Sequence, residues 1–174
     1  MNKELKNAIK AEIPVVLDYD GVMFEARWGK QTIDTPDGKA TYQHCKGEYL
    51  TTAPIPFVQQ FVKSLDCPVY VLSCVQDSIE HKEKVYQIGM NYPSISERNV
   101  ITVCSSDAKL QVLEYLYEIY GGFIYIDDSL DNLLKYEAMH KSDKCKFFHV
   151  SSLFAKEDYD VTELDLTEIE ELFL

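Results

Sequence analysis

The sequence has little positive charge: Lys and Arg total 17 against 29 Asp and Glu, giving a net charge of −12 over 174 residues. This charge disfavours a nucleic-acid-binding protein held by phosphate contacts, and equally a polybasic protein of the membrane surface. The acids are concentrated in residues 151–174, which carry eight of them and one Lys. Apolar residues among these acids predict that part of the segment docks on the core: Leu164, Leu166, Ile169, Leu172 and Phe173.

The sequence also lacks the cysteine spacing of a metal site, a segment of signal-peptide type and a long hydrophobic run. The five cysteines show no CxxC or Cys/His pattern, which favours a reducing compartment. Cys74 and Cys104 end apolar runs, so we expect both to be small core residues. The N-terminal segment has no stretch of signal-peptide type, and no run approaches the ~18 apolar residues of a membrane span. We expect a soluble cytoplasmic protein with no membrane partner.

Five short apolar runs, rich in β-branched and aromatic residues, predict the buried strands of a parallel sheet. They are Ile13–Asp18, Pro68–Ser73, Asn99–Cys104, Gly122–Asp127 and Lys146–Val150. Apolar stripes of helical period lie between them, in 57–65, 110–120 and 130–138, with a weaker one in 78–90. Alternating strands and helices predict an α/β fold, a three-layer α/β/α sandwich with a five-stranded parallel Rossmann-like sheet, as a single domain over 1–174.

Residues 25–52 do not fit the alternation, because they contain no helical stripe. A Pro-Asp-Gly turn at Pro36–Gly38 separates Thr32–Asp34 from Ala40–Tyr42, and these two segments predict a β-hairpin. We interpret residues 25–52 as a flap inserted after the first strand.

Acidic residues follow two of the predicted strands at their carboxyl ends, where ligands of open parallel sheets bind. Asp18 and Asp20 follow the first strand, and Asp127 and Asp128 end the fourth. Four carboxylates converging at one edge would repel one another unless a cation lay among them, and a hard divalent ion such as Mg²⁺ meets that need. The alternative is that each Asp merely caps the following helix.

The motifs at these strand ends resemble those of the haloacid dehalogenase-like (HAD) hydrolase superfamily. The first is VVLDYDGV, Val15–Val22; the second is VYVLS, Val69–Ser73; the fourth is IYIDDS, Ile124–Ser129, in which Asp131 also satisfies a DxxxD variant. Lys109, in a helical segment before the fourth strand, fits the third motif. The resemblance runs in the family's order from residue 13 to about residue 150.

The resemblance implies a Mg²⁺-dependent phosphatase, a hydrolase that cleaves phosphate monoesters through an aspartyl-phosphate. It makes Asp18 the nucleophile and Asp20 the general acid and base, with Ser73 and Lys109 holding the phosphoryl oxygens. The implied metal ligands are Asp18, the carbonyl of Asp20 and Asp127, with Asp128 either binding the metal directly or supporting a ligand. Members that cleave carbon–halogen bonds lack the second Asp of the first motif, so Asp20 favours phosphate esters.

The intervals between the motifs leave no room for a large cap domain, so we expect an open site. In the family such a site goes with large substrates, or with a neighbouring subunit that closes it in a homo-oligomer. The substrate would be a nucleotide, a sugar phosphate or a phosphorylated macromolecule. Flap residues expected to touch it, unless the aromatic ones only pack the hairpin, are Arg27, Trp28, Lys30, Tyr42, His44 and Lys46. His81, His140 and His149 have no partner at metal-ligand spacing, and we expect surface or structural roles for them.

Two hypotheses remain for the chain as a whole. One is the phosphohydrolase, and the other is a non-catalytic or regulatory binding module on the same scaffold, whose acidic tail docks a partner. The enzyme is favoured because the complete set is present: the nucleophile, the acid and base, the Lys and the metal pair. A binding module has no need of all of them.

Overall fold

A computed structural model describes residues 1–25, 32–34, 40–42, 46–140 and 142–154. The strands are β1 (Val15–Leu17), β2 (Thr32–Asp34), β3 (Ala40–Tyr42), β4 (Val69–Cys74), β5 (Val100–Val103), β6 (Phe123–Asp127) and β7 (Cys145–His149). The α-helices are α1 (Lys3–Ile9), α2 (Pro56–Lys63), α3 (Ser78–Asn91), α4 (Ser106–Tyr120), α5 (Leu130–Met139) and α6 (Ser151–Phe154). Short 3₁₀ turns lie at Tyr49–Thr51 and Glu97–Asn99.

Five strands form one parallel sheet in the order β5-β4-β1-β6-β7. The three residues of β1 are fully buried, because β1 is central and pairs with β4 on one side and β6 on the other. The next two strands of this sheet along the chain, β4 and β5, therefore lie on one side of β1, and the later strands β6 and β7 lie on the other. This reversal places a topological switch point at the carboxyl end of β1.

Helices cover both faces of the sheet, and alternate residues of each strand point to different faces. One apolar cluster packs Val15 and Leu17 with residues of α2, α3 and the N-terminal helix. The other packs Val16 with residues of α4 and α5. The predicted α/β class with a five-stranded parallel sheet in three layers is confirmed.

The hairpin prediction is confirmed as well: β2 and β3 pair antiparallel, with Ile33 opposite Thr41. Residues 26–31, 35–39 and 43–45, which complete the flap, lie outside the described residues. The acidic segment 155–174 does too, so its docking and the single-domain assignment stay predictions.

The predicted apolar stripes were too wide. Several of their members lie at the surface: Phe57, Tyr117, Tyr120, Leu130 and Leu134. On α4 the buried apolar residues are Leu110, Leu113 and Leu116, because only that side of the helix meets the sheet. The prediction for Cys104 was also wrong: it follows the end of β5 and is exposed.

Candidate active site

Three polar side chains leave the carboxyl ends of adjacent strands at the switch point. Asp18 follows β1 directly, and its backbone N–H donates to the carbonyl of Ile126 at 3.0 Å, which continues the sheet pairing by one residue. Ser73 lies near the end of β4, and Asp127 ends β6. All three are buried, with exposed fractions of 8%, 1% and 0% respectively. The sheet alone therefore brings these polar groups to one end of the molecule, as the sequence predicted.

The carboxylates of Asp18, Asp127 and Asp128 form one cluster. Each offers an oxygen, and these oxygens lie within 4.8 Å of one another. The carboxylate of Asp20 was expected in the same cluster, but it turns to the opposite side and forms an ion pair with Lys84. Three carboxylates therefore converge rather than four, and a part in metal binding for Asp20 rests on its backbone carbonyl.

Lys109 reaches the cluster from α4, on the helix face that packs against the sheet. Its ammonium nitrogen Nζ lies 3.0 Å from Oδ1 of Asp18 and 3.1 Å from Oδ2 of Asp127. Burial acts to lower the pKa of this lysine, but the carboxylates of Asp18 and Asp127 outweigh burial and raise the pKa above its ordinary range. Lys109 is therefore a fixed positive charge between two acids.

Among the described residues, Lys109 alone pairs with carboxylates of this cluster, and one positive charge does not balance three of them. Burial raises the pKa of Asp18 to about 7; Lys109 opposes the rise and Asp127 adds to it. Burial, followed by the charge of Asp127, raises the pKa of Asp128 to about 6. The cluster therefore retains protons near neutral pH unless another cation joins it.

The donors of the cluster fit a hard divalent cation. All three ligands are carboxylate oxygens, which Mg²⁺ prefers. Oδ1 of Asp18 is buried and receives no correctly oriented hydrogen bond from the described residues, although Lys109 lies near it. Gly21, at φ +71°, leaves room for Asp128, because a Cβ at position 21 would overlap the Asp128 carboxylate. The chemistry of these donors therefore fits Mg²⁺, and Asp18, Asp127 and Asp128 are the residues that would hold it.

Two neighbours orient Asp127. Tyr125 lies two residues earlier on β6, hence on the same face, and its hydroxyl donates to Oδ2 of Asp127. The backbone N–H of Ser129 donates to Oδ1 at 2.8 Å. Burial raises the pKa of Tyr125 well above its ordinary value, so the phenol keeps the proton that it donates. The sequence analysis did not single out Tyr125, although the alternation along β6 signals it.

His149 supports the loop that carries Asp128. The backbone N–H of Ser151 donates to its Nδ1, which leaves Nε2 as the donor to the carbonyl of Asp128 at 3.1 Å. Burial lowers the pKa of this imidazole and favours the neutral ring that such an arrangement needs. Its contacts are those of the structural residue expected from the sequence.

Lys84, which the sequence analysis missed, approaches from α3 on the other side of the sheet. Its side chain is 1% exposed. Its Nζ lies 2.7 Å from Oδ2 of Asp20 and 3.0 Å from the hydroxyl oxygen of Ser73. Glu80, one turn earlier, lies 3.0 Å from the same nitrogen. The site thus has two buried lysines from opposite helical layers, one for each Asp of the first motif.

The weak apolar face of α3 was a signal of this arrangement. The buried positions of the helix are mostly polar, and they recur at i, i+3, i+4 and i+7: Glu80, Glu83, Lys84 and Gln87. Glu83 accepts from the backbone N–H of Gly47 at 2.5 Å, and Gln87 donates to the carbonyl of Leu50 at 2.8 Å. This polar face therefore fixes the end of the flap beside the site.

Most of the substrate contacts predicted on the flap lie outside the described residues. Arg27, Trp28, Lys30 and His44 belong to the segments that are not described, and only the backbone of Tyr42 is. Lys46 is exposed at the flap's end. Asp131, the variant ligand of the fourth motif, is exposed on the first turn of α5, outside the carboxylate cluster.

Comparison with known proteins gives a likeness in the solved structures but not in the sequence families. No family model matches the chain, and no curated protein matches it. Among solved structures, the chain is similar to the HAD domain of the effector protein Lem4 from Legionella pneumophila, with 18% identity, 93% of each chain covered and a TM-score of 0.46. A likeness this distant carries no information on activity, so function must be argued from the site itself. Across the described residues, no helix is both long and apolar enough to cross a membrane.

Proposed function

We propose that the protein is a Mg²⁺-dependent phosphohydrolase that cleaves a phosphate monoester through an aspartyl-phosphate on Asp18. The observation that carries the proposal is the position of Asp18. Its carboxylate lies at the switch point of the sheet, 3.0 Å from a buried lysine and in one cluster with Asp127 and Asp128. A carboxylate nucleophile divides a very slow hydrolysis into two displacements.

In the first displacement, an oxygen of Asp18 attacks phosphorus and the bond from phosphorus to the leaving oxygen breaks. Asp20 donates a proton to that leaving oxygen. In the second displacement, Asp20 takes a proton from water as the water oxygen attacks phosphorus, and the bond to Asp18 breaks. Proton transfer of this kind contributes ~10²–10⁴-fold. The products are an alcohol and inorganic phosphate, and Asp18 is regenerated.

The remaining charges serve the negative phosphoryl group. Lys109 keeps a positive charge beside Asp18 and would attract the phosphoryl oxygens, with Ser73 as a hydroxyl donor from the neighbouring strand. Mg²⁺ held by Asp18, Asp127 and Asp128 would supply the positive charge that lets an anionic nucleophile approach an anionic substrate.

The cost of the site supports an enzyme over a binding module. Taking charges out of water is expensive, and buried ion pairs often stabilise a fold no better than apolar residues do. This chain nonetheless buries two lysines with the acids that surround them. A scaffold that only docked a partner would have no use for these buried charges, whereas a phosphoryl-transfer site uses each of them.

For the substrate we propose a phosphorylated metabolite, such as a nucleotide or sugar phosphate, or a phosphorylated macromolecule. The flap enters and leaves beside the site, so we propose that its residues Arg27, Trp28, Lys30 and His44 contact the part of the substrate beyond the phosphate. Such contacts position the reacting group and so affect kcat as well as KM.

The test is a panel of phosphate monoesters assayed with Mg²⁺ for the wild type and two variants. Asp18→Asn keeps the shape of the side chain but removes the nucleophile, and we expect at least a ~10³-fold loss of turnover. Asp66→Asn is the control, because Asp66 is exposed and precedes β4 at the other end of the sheet. Turnover by Asp18→Asn at the wild-type rate would contradict the proposal.

A further inference from the structure

We infer that Lys84 is a positioning residue, which holds Asp20 in the orientation that proton transfer to the leaving group requires. The inference rests on the proposed function and adds to it a residue outside the motifs. Lys84 lies in the middle of α3, which contains none of the motif residues. Its ammonium group nevertheless reaches Asp20, the acid two residues after the proposed nucleophile.

All three hydrogens of the Lys84 ammonium group are used. They are donated to Oδ2 of Asp20 at 2.7 Å, to the hydroxyl oxygen of Ser73 at 3.0 Å and to the carbonyl of Cys74 at 3.0 Å. Two of these acceptors belong to β4, so the ammonium group is fixed to the sheet. Asp20 lies within the turn that follows β1 rather than in a strand, and Lys84 ties that turn to the sheet.

The surroundings of Lys84 keep it in place without leaving its charge uncompensated. Glu80 lies 3.0 Å from the ammonium nitrogen and is itself held by the backbone N–H of Gln76, which donates to its Oε2 at 2.7 Å. The rings of Tyr19 and Tyr49 lie 5.0 Å and 4.5 Å from the nitrogen. Because Glu80 offsets the positive charge, Lys84 can orient Asp20 without adding a net charge to the site.

The contact determines which oxygen of Asp20 does the chemistry. Oδ2 is engaged by Lys84, so Oδ1 is the atom left to give a proton to the leaving oxygen and later to take one from water. The Asp20 side chain is 29% exposed although its lysine partner is buried, so one side of the carboxylate is open to incoming molecules. Without Lys84 the carboxylate could rotate, and proton transfer would lose its alignment.

Leaving-group dependence separates this role from a purely structural one. A p-nitrophenolate leaves without a proton, whereas the alkoxide of ethyl phosphate needs one. The parameter kcat/KM reports the steps up to departure of the leaving group. Misalignment of Asp20 should therefore lower kcat/KM for ethyl phosphate much more than for p-nitrophenyl phosphate, whereas general damage to the site should lower both equally.

The experiment measures kcat and KM with Mg²⁺ on both esters for the wild type, Lys84→Met and Lys82→Met. Lys82 is the matched control, because it lies on the same helix with its side chain in solvent. For Lys84→Met we expect kcat/KM to fall ~10²-fold on ethyl phosphate but only ~10-fold on p-nitrophenyl phosphate. We expect both values to stay unchanged for Lys82→Met.

Lys84→Met leaves Glu80 buried without its partner and could unfold the protein. The double variant Glu80→Gln with Lys84→Met removes both charges and gives the same comparison in a neutral site. Equal losses on the two esters, or no loss on either, in whichever of these variants folds would overturn the role of Lys84. If the wild type hydrolyses neither ester and no other phosphate monoester, or if Asp18→Asn matches it, the proposed function itself fails.

Discussion

The ammonium nitrogen of Lys109 lies 3.0 Å from the nucleophile candidate Asp18, and both side chains are buried on the face of the sheet that α4 covers. The pair joins a helix to the strand at the centre of the sheet. Its geometry depends on how α4 packs against β4 and β6, the two neighbours of β1, and no local pattern around either residue contains that packing.

Removing Lys109 should damage both stability and activity. Lys109→Met leaves Asp18 and Asp127 buried without their cation, and breaking a buried pair costs about 3–5 kcal/mol. Urea unfolding measures this loss. Lys135→Met is the control, because Lys135 pairs with Asp107 at the surface, where a pair is worth at most about 1 kcal/mol. Similar losses in the two variants would contradict the account of Lys109.

The main effect of Asp127→Asn should be weaker metal binding. Asp127 contributes an oxygen to the cluster, and Tyr125 and Ser129 fix its orientation. We expect the variant to need at least ~10-fold more Mg²⁺ for half-maximal activity, as changes around metal ligands typically do. Unchanged metal titrations of both activity and melting temperature would remove Asp127 from the ligand set.

The response to Mg²⁺ should depend on pH. The pKa of Asp18 is raised from 3.8 to about 7 and that of Asp128 to about 6, so folding favours their protonated forms. Stability from these two groups is complete below about pH 4 and is lost as pH rises through 6 and 7. Mg²⁺ replaces the protons, so it should raise the melting temperature more at about pH 8 than at about pH 5. Equal stabilisation at both values would contradict the raised pKa values.

Gly21→Ala should disturb the metal site, because the added Cβ would overlap the Asp128 carboxylate. Gly121 has the same φ, +71°, but open space around it. Both substitutions carry the backbone cost of a left-handed residue, about 1–2 kcal/mol. Only Gly21→Ala should also reduce the melting-temperature shift produced by Mg²⁺. If the two variants respond equally to Mg²⁺, Gly21 serves the turn alone.

The sequence predicts those site residues that lie at the ends of recognisable strands. Asp18 and Asp127 follow directly from strands that continuous apolar runs identify, and parallel strands bring their ends together. Lys84 depends on how α3 packs, and its signal is the helical spacing of polar residues from Glu80 to Gln87. Such a polar stripe resembles a solvent-exposed face until the fold shows it against the sheet. The predicted apolar stripes included exposed residues for the same reason, because the area of contact between a helix and the sheet is set by the tertiary structure.

Trapping of the covalent intermediate tests the central claim most directly. Asp20→Asn should slow the second displacement more than the first with p-nitrophenyl phosphate, because that leaving group needs no proton and the attacking water still needs a base. The variant is mixed with p-nitrophenyl phosphate and Mg²⁺, quenched in acid and reduced with borohydride, which converts an aspartyl-phosphate to homoserine. Peptide mass mapping should then find homoserine at position 18, and none in the variant Asp18→Asn with Asp20→Asn. An active protein with unmodified Asp18, or with homoserine at another Asp, would contradict the account.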